Sequence, residues 1–226
     1  MGIIGKVTLT IIVIILVACI TLCLIVKKAF DESQIVTKGQ PIASYENPKT
    51  ALLVIDVQKT LTDTKSKAAL NIIQTDPMID NINKIIEANK NMLVVYITNE
   101  FKKGTIANTI FSRRLEEGSE TAKMDPRIKI VSSNRFIKDK GDSFTNPQLD
   151  DFLIKNKVNH LIITGVDAQY CVDRTIRGAL NRKYNITIIS DAIATKNDKK
   201  RKAKLEEFRA LGVEETSTTE LLNNIR

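Results

Sequence analysis

Histidine is almost absent from this sequence, and its scarcity limits the chemistry that the chain can perform. The 226 residues include one histidine, His160. A single imidazole excludes metal sites built from several histidines and severely limits Ser-His and Cys-His catalysis. Cysteine is also scarce: Cys19 and Cys23 lie in an apolar N-terminal run, and Cys171 is the one thiol in the rest of the chain. That main part therefore cannot form an internal disulfide, and Cys171 is left free for chemistry.

Aromatic residues are sparse as well, at 5% of the chain with no tryptophan. The net charge is nevertheless +8, from 34 Lys and Arg against 26 Asp and Glu. Proteins that bind nucleic acid by stacking on bases interleave aromatic with basic residues, so we expect no nucleic-acid partner. Five prolines and nine glycines argue against extensive disorder. The length suits one domain with an appendage.

The appendage is an N-terminal run of twenty residues without a charge, residues 7–26. As a helix that rises about 1.5 Å per residue, it would be about 30 Å long, the thickness of the hydrocarbon core of a bilayer. We therefore expect a membrane anchor over residues 1–28 and a polar tether over residues 29–48.

The residues within and beside this run bear on its orientation in the membrane and on its processing. Lys27 and Lys28 outweigh Lys6, which favours a cytoplasmic main domain. Two alternatives stay open: cleavage as a signal peptide, and lipid attachment at Cys19, because residues 16–19 resemble a bacterial lipoprotein box.

Short apolar runs alternate with amphipathic stretches through the main domain, residues 49–226. The first run is wholly apolar, as expected for a parallel strand that is buried on both faces. The alternation predicts an α/β fold, with a mostly parallel six-stranded sheet covered by helices on both faces. The predicted strands are residues 51–55, 92–97, 127–131, 161–165, 186–190 and 213–217. The main predicted helices are residues 80–90, 147–156, 171–182 and 198–211.

Three reactive side chains follow strands of this predicted sheet. Asp56 comes directly after the first strand, Lys138 lies in the connection after the third, and Cys171 lies just past the fourth. Ligand sites in open parallel sheets gather at the carboxyl ends of the strands, so we expect these three to meet at one edge. His160 precedes the fourth strand and belongs to the opposite edge. Each residue also has a structural alternative, as a turn cap, a surface lysine and a packed helix residue.

A thiol in this position has a clear chemical use. The N-terminus of a helix and a neighbouring ammonium both stabilise a thiolate, so we expect a lowered pKa and high reactivity at Cys171. Asp56 can accept the thiol proton and deliver it to a leaving group. Lys138 would keep Asp56 ionised before the reaction.

Three motifs resemble those of one enzyme superfamily, the isochorismatase-like cysteine hydrolases. Residues 54–58, VIDVQ, are similar to its aspartate motif. Residues 138–144 are similar to its lysine segment, in which an aromatic residue follows the lysine by six positions. Residues 163–172, ITGVDAQYCV, are similar to its nucleophile motif. The resemblance covers about residues 49–217.

The resemblance implies a three-layer α/β/α sandwich and a catalytic triad of Asp56, Lys138 and Cys171. It also implies a cis peptide bond between Val166 and Asp167, and an oxyanion hole formed by the backbone N–H groups of Asp167 and Cys171. Proximity to the motifs suggests four residues of the substrate pocket, which are Gln58, Phe101, Phe144 and Tyr170.

The sequence departs from the metal-dependent nicotinamidases of this superfamily, which bind a divalent ion through an aspartate and histidines. Because His160 is the one histidine, we expect no metal and no cofactor. The cysteine favours cleavage of an amide-like bond in a small molecule through a thioester. The alternatives are a binding or sensing module without turnover, an isochorismatase-type hydrolase and a structural membrane protein; homo-oligomerisation stays open.

Overall fold

The computed structural model of the chain describes residues 2–63, 72–89 and 92–224, and its central feature is a sheet of six parallel strands. The strands are β1 Lys49–Ile55, β2 Leu93–Asn99, β3 Arg135–Lys138, β4 Val158–Val166, β5 Asn185–Ala194 and β6 Glu214–Thr216. All of these strand pairs are parallel, in the order β3-β2-β1-β4-β5-β6. The order therefore reverses between the two central strands, β1 and β4.

Helices cover both faces of the sheet, so the predicted three-layer α/β/α class is confirmed. On one face, Ile82 and Ile85 of α3 pack in the same apolar cluster as Leu52 of β1. On the other face, helices α5, α6 and α7 pack over Leu53 and Ile55 of β1. The helices are α1 Ile3–Ser33, α2 Lys59–Thr62, α3 Ile72–Ala88, α4 Ile106–Ile110, α5 Pro147–Lys155, α6 Cys171–Asn181, α7 Asp198–Ala210 and α8 Thr218–Asn224. The helix predicted over residues 80–90 corresponds to α3, and Lys90 lies outside the described residues.

The third strand is where the sequence prediction is wrong. Residues 127–131 form no strand, and β3 lies instead at Arg135–Lys138, so that Lys138 is the last residue of a strand rather than part of a loop. β3 is an edge strand, and within residues 2–63, 72–89 and 92–224 it pairs with β2 alone. An edge strand has one unpaired side and is more exposed than a central strand. It therefore does not need the continuous apolar run that is typical of the central strands.

Helix α1 is long and apolar enough to cross a membrane. It contains a 27-residue candidate span, Val7–Ser33, and its most apolar window packs against nothing in the described part of the chain. The hydroxyl of Thr21 donates to the carbonyl of Val17, so this polar side chain is satisfied within the helix. A signal sequence at the N-terminus would show the same features, and anchoring therefore stays a proposal.

The segment expected to be a tether is attached to the main domain. Helix α1 continues to Ser33, five residues beyond the expected end of the anchor at residue 28. Thr37 then donates to Asp142 Oδ2 through both its backbone N–H, at 2.8 Å, and its hydroxyl, at 2.7 Å. The Ile42 N–H donates to the carbonyl of Arg182 at 2.9 Å. The division of the chain into anchor, tether and domain remains a prediction, but the middle segment is held in place by these bonds.

Candidate active site

The two central strands, β1 and β4, end side by side, so Asp56 and the loop before Cys171 lie at the same edge of the sheet. Gly165 of β4 lies opposite Ile55 of β1. Its φ is +113°, and an added Cβ would lie 2.1 Å from the carbonyl oxygen of Ile55. Glycine is therefore required where β4 approaches β1 most closely. In open α/β sheets this reversal of strand order is the usual position of a ligand site.

Asp56 and Lys138 form a buried ion pair. Lys138 Nζ donates to Asp56 Oδ2 at 2.8 Å and to the backbone carbonyl of Lys140 at 3.0 Å. The side chains are 0% and 1% exposed, for Lys138 and Asp56 respectively. The backbone of Asp56 has a φ of +52°, and its N–H donates to the carbonyl of Ile97 at 2.9 Å, which fixes the carboxylate at the end of β1.

The second carboxylate oxygen, Asp56 Oδ1, is buried and has no hydrogen-bond partner in the described part of the chain. The thiol of Cys171, the first residue of α6, is close enough to influence the pKa values of both Asp56 and Lys138. The structure therefore brings the three predicted residues together, with an open acceptor on Asp56 beside the thiol.

Burial and charge act in opposite directions on these groups. Burial raises the pKa of the Asp56 carboxyl, while the Lys138 ammonium opposes that change. Burial disfavours the charged form of Lys138, but the Asp56 carboxylate, with a smaller contribution from the Cys171 side chain, outweighs burial and raises the pKa of Lys138. The pair is therefore best described as a carboxylate held against an ammonium.

The expectation of a lowered pKa at Cys171 is wrong for this resting arrangement. Burial of the thiol and the neighbouring Asp56 carboxylate raise the pKa of Cys171, and the Lys138 ammonium does not compensate for them. The helix N-terminus and the cation can be predicted from the sequence, whereas the loss of water around the thiol cannot. The resting site thus holds a protonated thiol beside a carboxylate that can accept its proton.

The peptide bond between Val166 and Asp167 is cis, as the resemblance implied. The backbone N–H groups of Asp167 and Cys171 donate to no backbone acceptor among residues 2–63, 72–89 and 92–224. Neighbouring N–H groups are used, since Ala168 donates to Ala194 and Val172 donates to the carbonyl of Asp167. Asp167 and Cys171 line one cavity, so their N–H groups are candidate donors to a ligand bound there.

A cavity of about 360 Å³ opens onto these groups. Of the four residues suggested for the pocket, Phe101 and Tyr170 line it. Gln58 and Phe144 do not, and both suggestions need correction. The Gln58 side chain is fully buried. Its amide donates to the backbone carbonyl of Asn99 at 3.0 Å and accepts from the backbone N–H of Asn99 at 2.9 Å. Phe144 belongs to the core.

Sequence reasoning missed two parts of the cavity wall. Asn99, the last residue of β2, lines the cavity and has a buried Oδ1 without a partner among the described residues. Phe30, Ser33 and Gln34 also line it, and they come from the end of α1 and the residue after it. A carboxyl-end position on β2 was a usable signal for Asn99. No local pattern indicated that α1 reaches the site.

Comparison with known proteins identifies the family. The model of the isochorismatase domain matches residues 50–220. The chain belongs to the isochorismatase family. An uncharacterized isochorismatase family protein of Bacillus subtilis, YrdC, is 31% identical over 148 residues, which are 65% of this chain and 74% of the relative. The ureidoacrylate amidohydrolase RutB of Klebsiella pneumoniae is 24% identical over 178 residues, covering 66% of this chain and 75% of the relative.

Solved structures of the isochorismatase family share the fold. A cysteine hydrolase from Pseudomonas syringae pv. phaseolicola superimposes with a TM-score of 0.71 at 19% identity. The match covers 83% of this chain and 98% of that one. The protein is thus a hydrolase of the isochorismatase family, and its site lies at the topological switch point of that fold.

A metal site of aspartate and histidine, as in the nicotinamidases, does not fit the residues present. His160 lies near the start of β4, at the opposite edge of the sheet, and its Nε2 is 2.8 Å from Thr187 Oγ1. No group of three or more His, Cys, Asp or Glu side chains within residues 2–63, 72–89 and 92–224 is arranged to hold a metal ion. We therefore derive no step through a metal.

Proposed function

We propose that the protein is a metal-independent cysteine hydrolase that cleaves an amide-like C–N bond of a small molecule through a thioester. The observation that carries this proposal is the buried Asp56–Lys138 pair beside Cys171, opening onto one cavity. An ion pair that is merely structural needs neither a neighbouring thiol nor access to a cavity. Titratable groups that perturb one another in a cleft are typical of active sites.

In the first half of the reaction, Asp56 Oδ1 takes the proton of the Cys171 thiol as Sγ attacks the carbonyl carbon of the substrate. An S–C bond forms, and the carbonyl oxygen becomes an oxyanion. The C–N bond then breaks, the amine leaves with the proton from Asp56, and a thioester remains on Cys171.

In the second half, water attacks the thioester and gives a proton to Asp56. The C–S bond breaks, the carboxylic acid leaves, and the thiolate recovers its proton from Asp56. Lys138 serves both halves by holding the carboxylate in place and by stabilising negative charge that would otherwise be buried without a partner. The raised pKa of Cys171 fits this cycle, because the proton is removed only when a substrate is present.

The oxyanion needs donors, and the unused N–H groups of Asp167 and Cys171 are the candidates. Loss of one such donor in an enzyme typically slows the reaction by about a hundredfold or more. The Klebsiella relative is an amidohydrolase, which supports amide cleavage.

Membrane tethering by α1 is the second part of the proposal. It is supported by the length of the helix and by the absence of packing around its most apolar window in the described part of the chain. Cleavage as a signal sequence and lipid attachment at Cys19 are the alternatives. Fractionation of cells that express the full chain, followed by N-terminal mass analysis of the membrane-bound protein, distinguishes the three.

The catalytic part is tested with a panel of small amides, ureides and esters on the full chain in detergent. We expect the wild type to hydrolyse at least one compound of the panel, and we expect Cys171→Ala to hydrolyse none. A variant His160→Ala is the matched control, because His160 lies at the far edge of the sheet. Binding of panel members without hydrolysis would favour a sensing module instead.

A further inference from the structure

The last turn of α1 forms part of the wall of the cavity. Phe30, Ser33 and Gln34 line the same space as Cys171. The Ser33 carbonyl accepts a hydrogen bond from the N–H of Gly141 at 2.7 Å, and Ser33 is only 7% exposed. The helix therefore ends on the domain rather than in solvent.

The chain is fixed again immediately after this turn. The hydroxyl of Thr37 donates to Asp142 at 2.7 Å and lies 2.8 Å from an Nη atom of Arg182. Arg182 is itself held by Asp150, at 2.7 Å. Because both sides of residues 33–37 are bonded to the domain, α1 keeps a defined position at the cavity. A loosely tethered anchor would have no such bonds.

The wall that α1 helps to form is largely apolar. Phe101 and Phe111 stack with their ring centroids 4.9 Å apart, and Phe30 contributes a third phenylalanine ring to the lining. Phe30 and Phe111 remain 42% and 38% exposed, so the apolar surface is only partly covered. Further apolar lining comes from Leu61, Ile110, Leu115 and Val166.

The polar end of the cavity presents hydrogen-bond acceptors. Gln34 Oε1 and Asn99 Oδ1 are buried, line the cavity and have no partner among the described residues. Buried acceptors are normally satisfied, and N–H groups of a bound amide would satisfy these two. The lining thus combines two acceptors that could bind an amide with the apolar wall that includes Phe30.

The distance to the bilayer is short. The charge-free run ends at Val26, and Ser33 lies seven residues further along the same unbroken helix. At about 1.5 Å per residue that is about 10 Å, close to the 5–7 Å depth of one headgroup layer. The mouth of the cavity would therefore lie at the surface of the membrane.

We infer that α1 is both anchor and substrate-binding element, and that the substrate is an amphiphilic amide with an alkyl or acyl chain, taken from the bilayer surface. Its amide end lies between Asn99, Gln34 and Cys171, and its chain leaves along Phe30 towards the lipid. This inference rests on the proposed hydrolase function and on the proposed tethering.

The test measures alkylation of Cys171 in the full chain, reconstituted in phosphatidylcholine vesicles at mildly alkaline pH. The probes are iodoacetamide and N-octyl-iodoacetamide, and peptide mass spectrometry separates Cys171 from Cys19 and Cys23. The octyl reagent is expected to react faster by about tenfold or more, the gain from burying about two methylene groups. Phe30→Ala should remove most of this preference, and Phe30→Leu should retain it.

Ile35→Ala is the matched control, because Ile35 is also an exposed apolar residue, next to the same turn, but does not line the cavity. All of the variants are reconstituted in the same vesicles, so partition of the octyl reagent into lipid affects them equally and cancels from the comparison. Suppose that Phe30→Ala and Ile35→Ala show the same ratio of octyl-reagent to iodoacetamide alkylation rates, while Cys171-dependent turnover of small amides persists. That result would overturn this inference and leave the proposed hydrolase function standing. Absence of that turnover would overturn the proposed function, and this inference with it.

Discussion

Replacement of Lys138 by Met tests the electrostatic basis of the site. The substitution removes the ammonium that lies 2.8 Å from Asp56 Oδ2 and leaves a carboxylate that is 1% exposed without its counter-charge. Removal of one partner of a buried ion pair typically costs about 3–5 kcal/mol. For a domain of this size, the melting temperature should fall by roughly 6–20 °C.

The loss of stability in Lys138→Met should depend on pH. In Lys138→Met, burial raises the pKa of Asp56 with no ammonium to oppose it. The folded-state pKa then lies above the unfolded value of about 3.9. The folded variant binds a proton that the unfolded chain has lost, so its stability falls as pH rises from the unfolded to the folded pKa. The deficit relative to the wild type should therefore be larger at neutral pH than in mild acid.

The double variant Asp56→Asn/Lys138→Met provides the control. It removes both charges, so it should recover much of the stability that Lys138→Met loses and should show little of its pH dependence. Thermal unfolding of the full chain in detergent, followed by circular dichroism, measures the wild type, Lys138→Met and the double variant. If Lys138→Met melts at the wild-type temperature, or if the double variant is no more stable than the single one, the ion-pair account is refuted.

Three further predictions concern the thiol, the strand contact and metal dependence. Asp56→Asn should abolish turnover but speed alkylation of Cys171 by iodoacetamide, because the carboxylate raises the pKa of the thiol; slower alkylation would contradict this. Gly165→Ala should lower the melting temperature far more than Gly118→Ala, because the new Cβ at 165 meets the Ile55 carbonyl, whereas at 118 it meets nothing and costs only about 1–2 kcal/mol of backbone strain. Activity should survive strong chelators; loss that one added metal ion restores would overturn the metal-free mechanism.

The central part of the fold could be predicted from sequence because its burial is extreme. Residues 51–57 are all 0% exposed, so β1 appears as a continuous apolar run ending in Asp56. The same holds for the middle of β4. The carboxyl-end rule then brings Asp56 and Cys171 together without knowledge of any relative. β3 escaped detection because it pairs on one side only, and three of its four residues are not buried.

Other features depend on contacts that no local pattern encodes. Gln58 is the last residue of the aspartate motif, yet its amide does not line the cavity and instead bonds to the backbone of Asn99. The raised pKa of Cys171 reflects burial of the thiol and the neighbouring Asp56 carboxylate, which together outweigh Lys138. The position of α1 results from the bond between Ser33 and Gly141, which are more than a hundred residues apart. Such long-range pairings become visible only in three dimensions.

The central claim is that Cys171 forms a thioester with the substrate, and the most direct measurement is the mass of the protein during turnover. The full chain would be quenched in acid while it hydrolyses an amide from the panel, and then digested and analysed by mass spectrometry. The account predicts an acyl group on the peptide that contains Cys171, and neither adduct nor turnover in Cys171→Ala. Turnover that continues in Cys171→Ala, or an acyl group attached elsewhere, would contradict it.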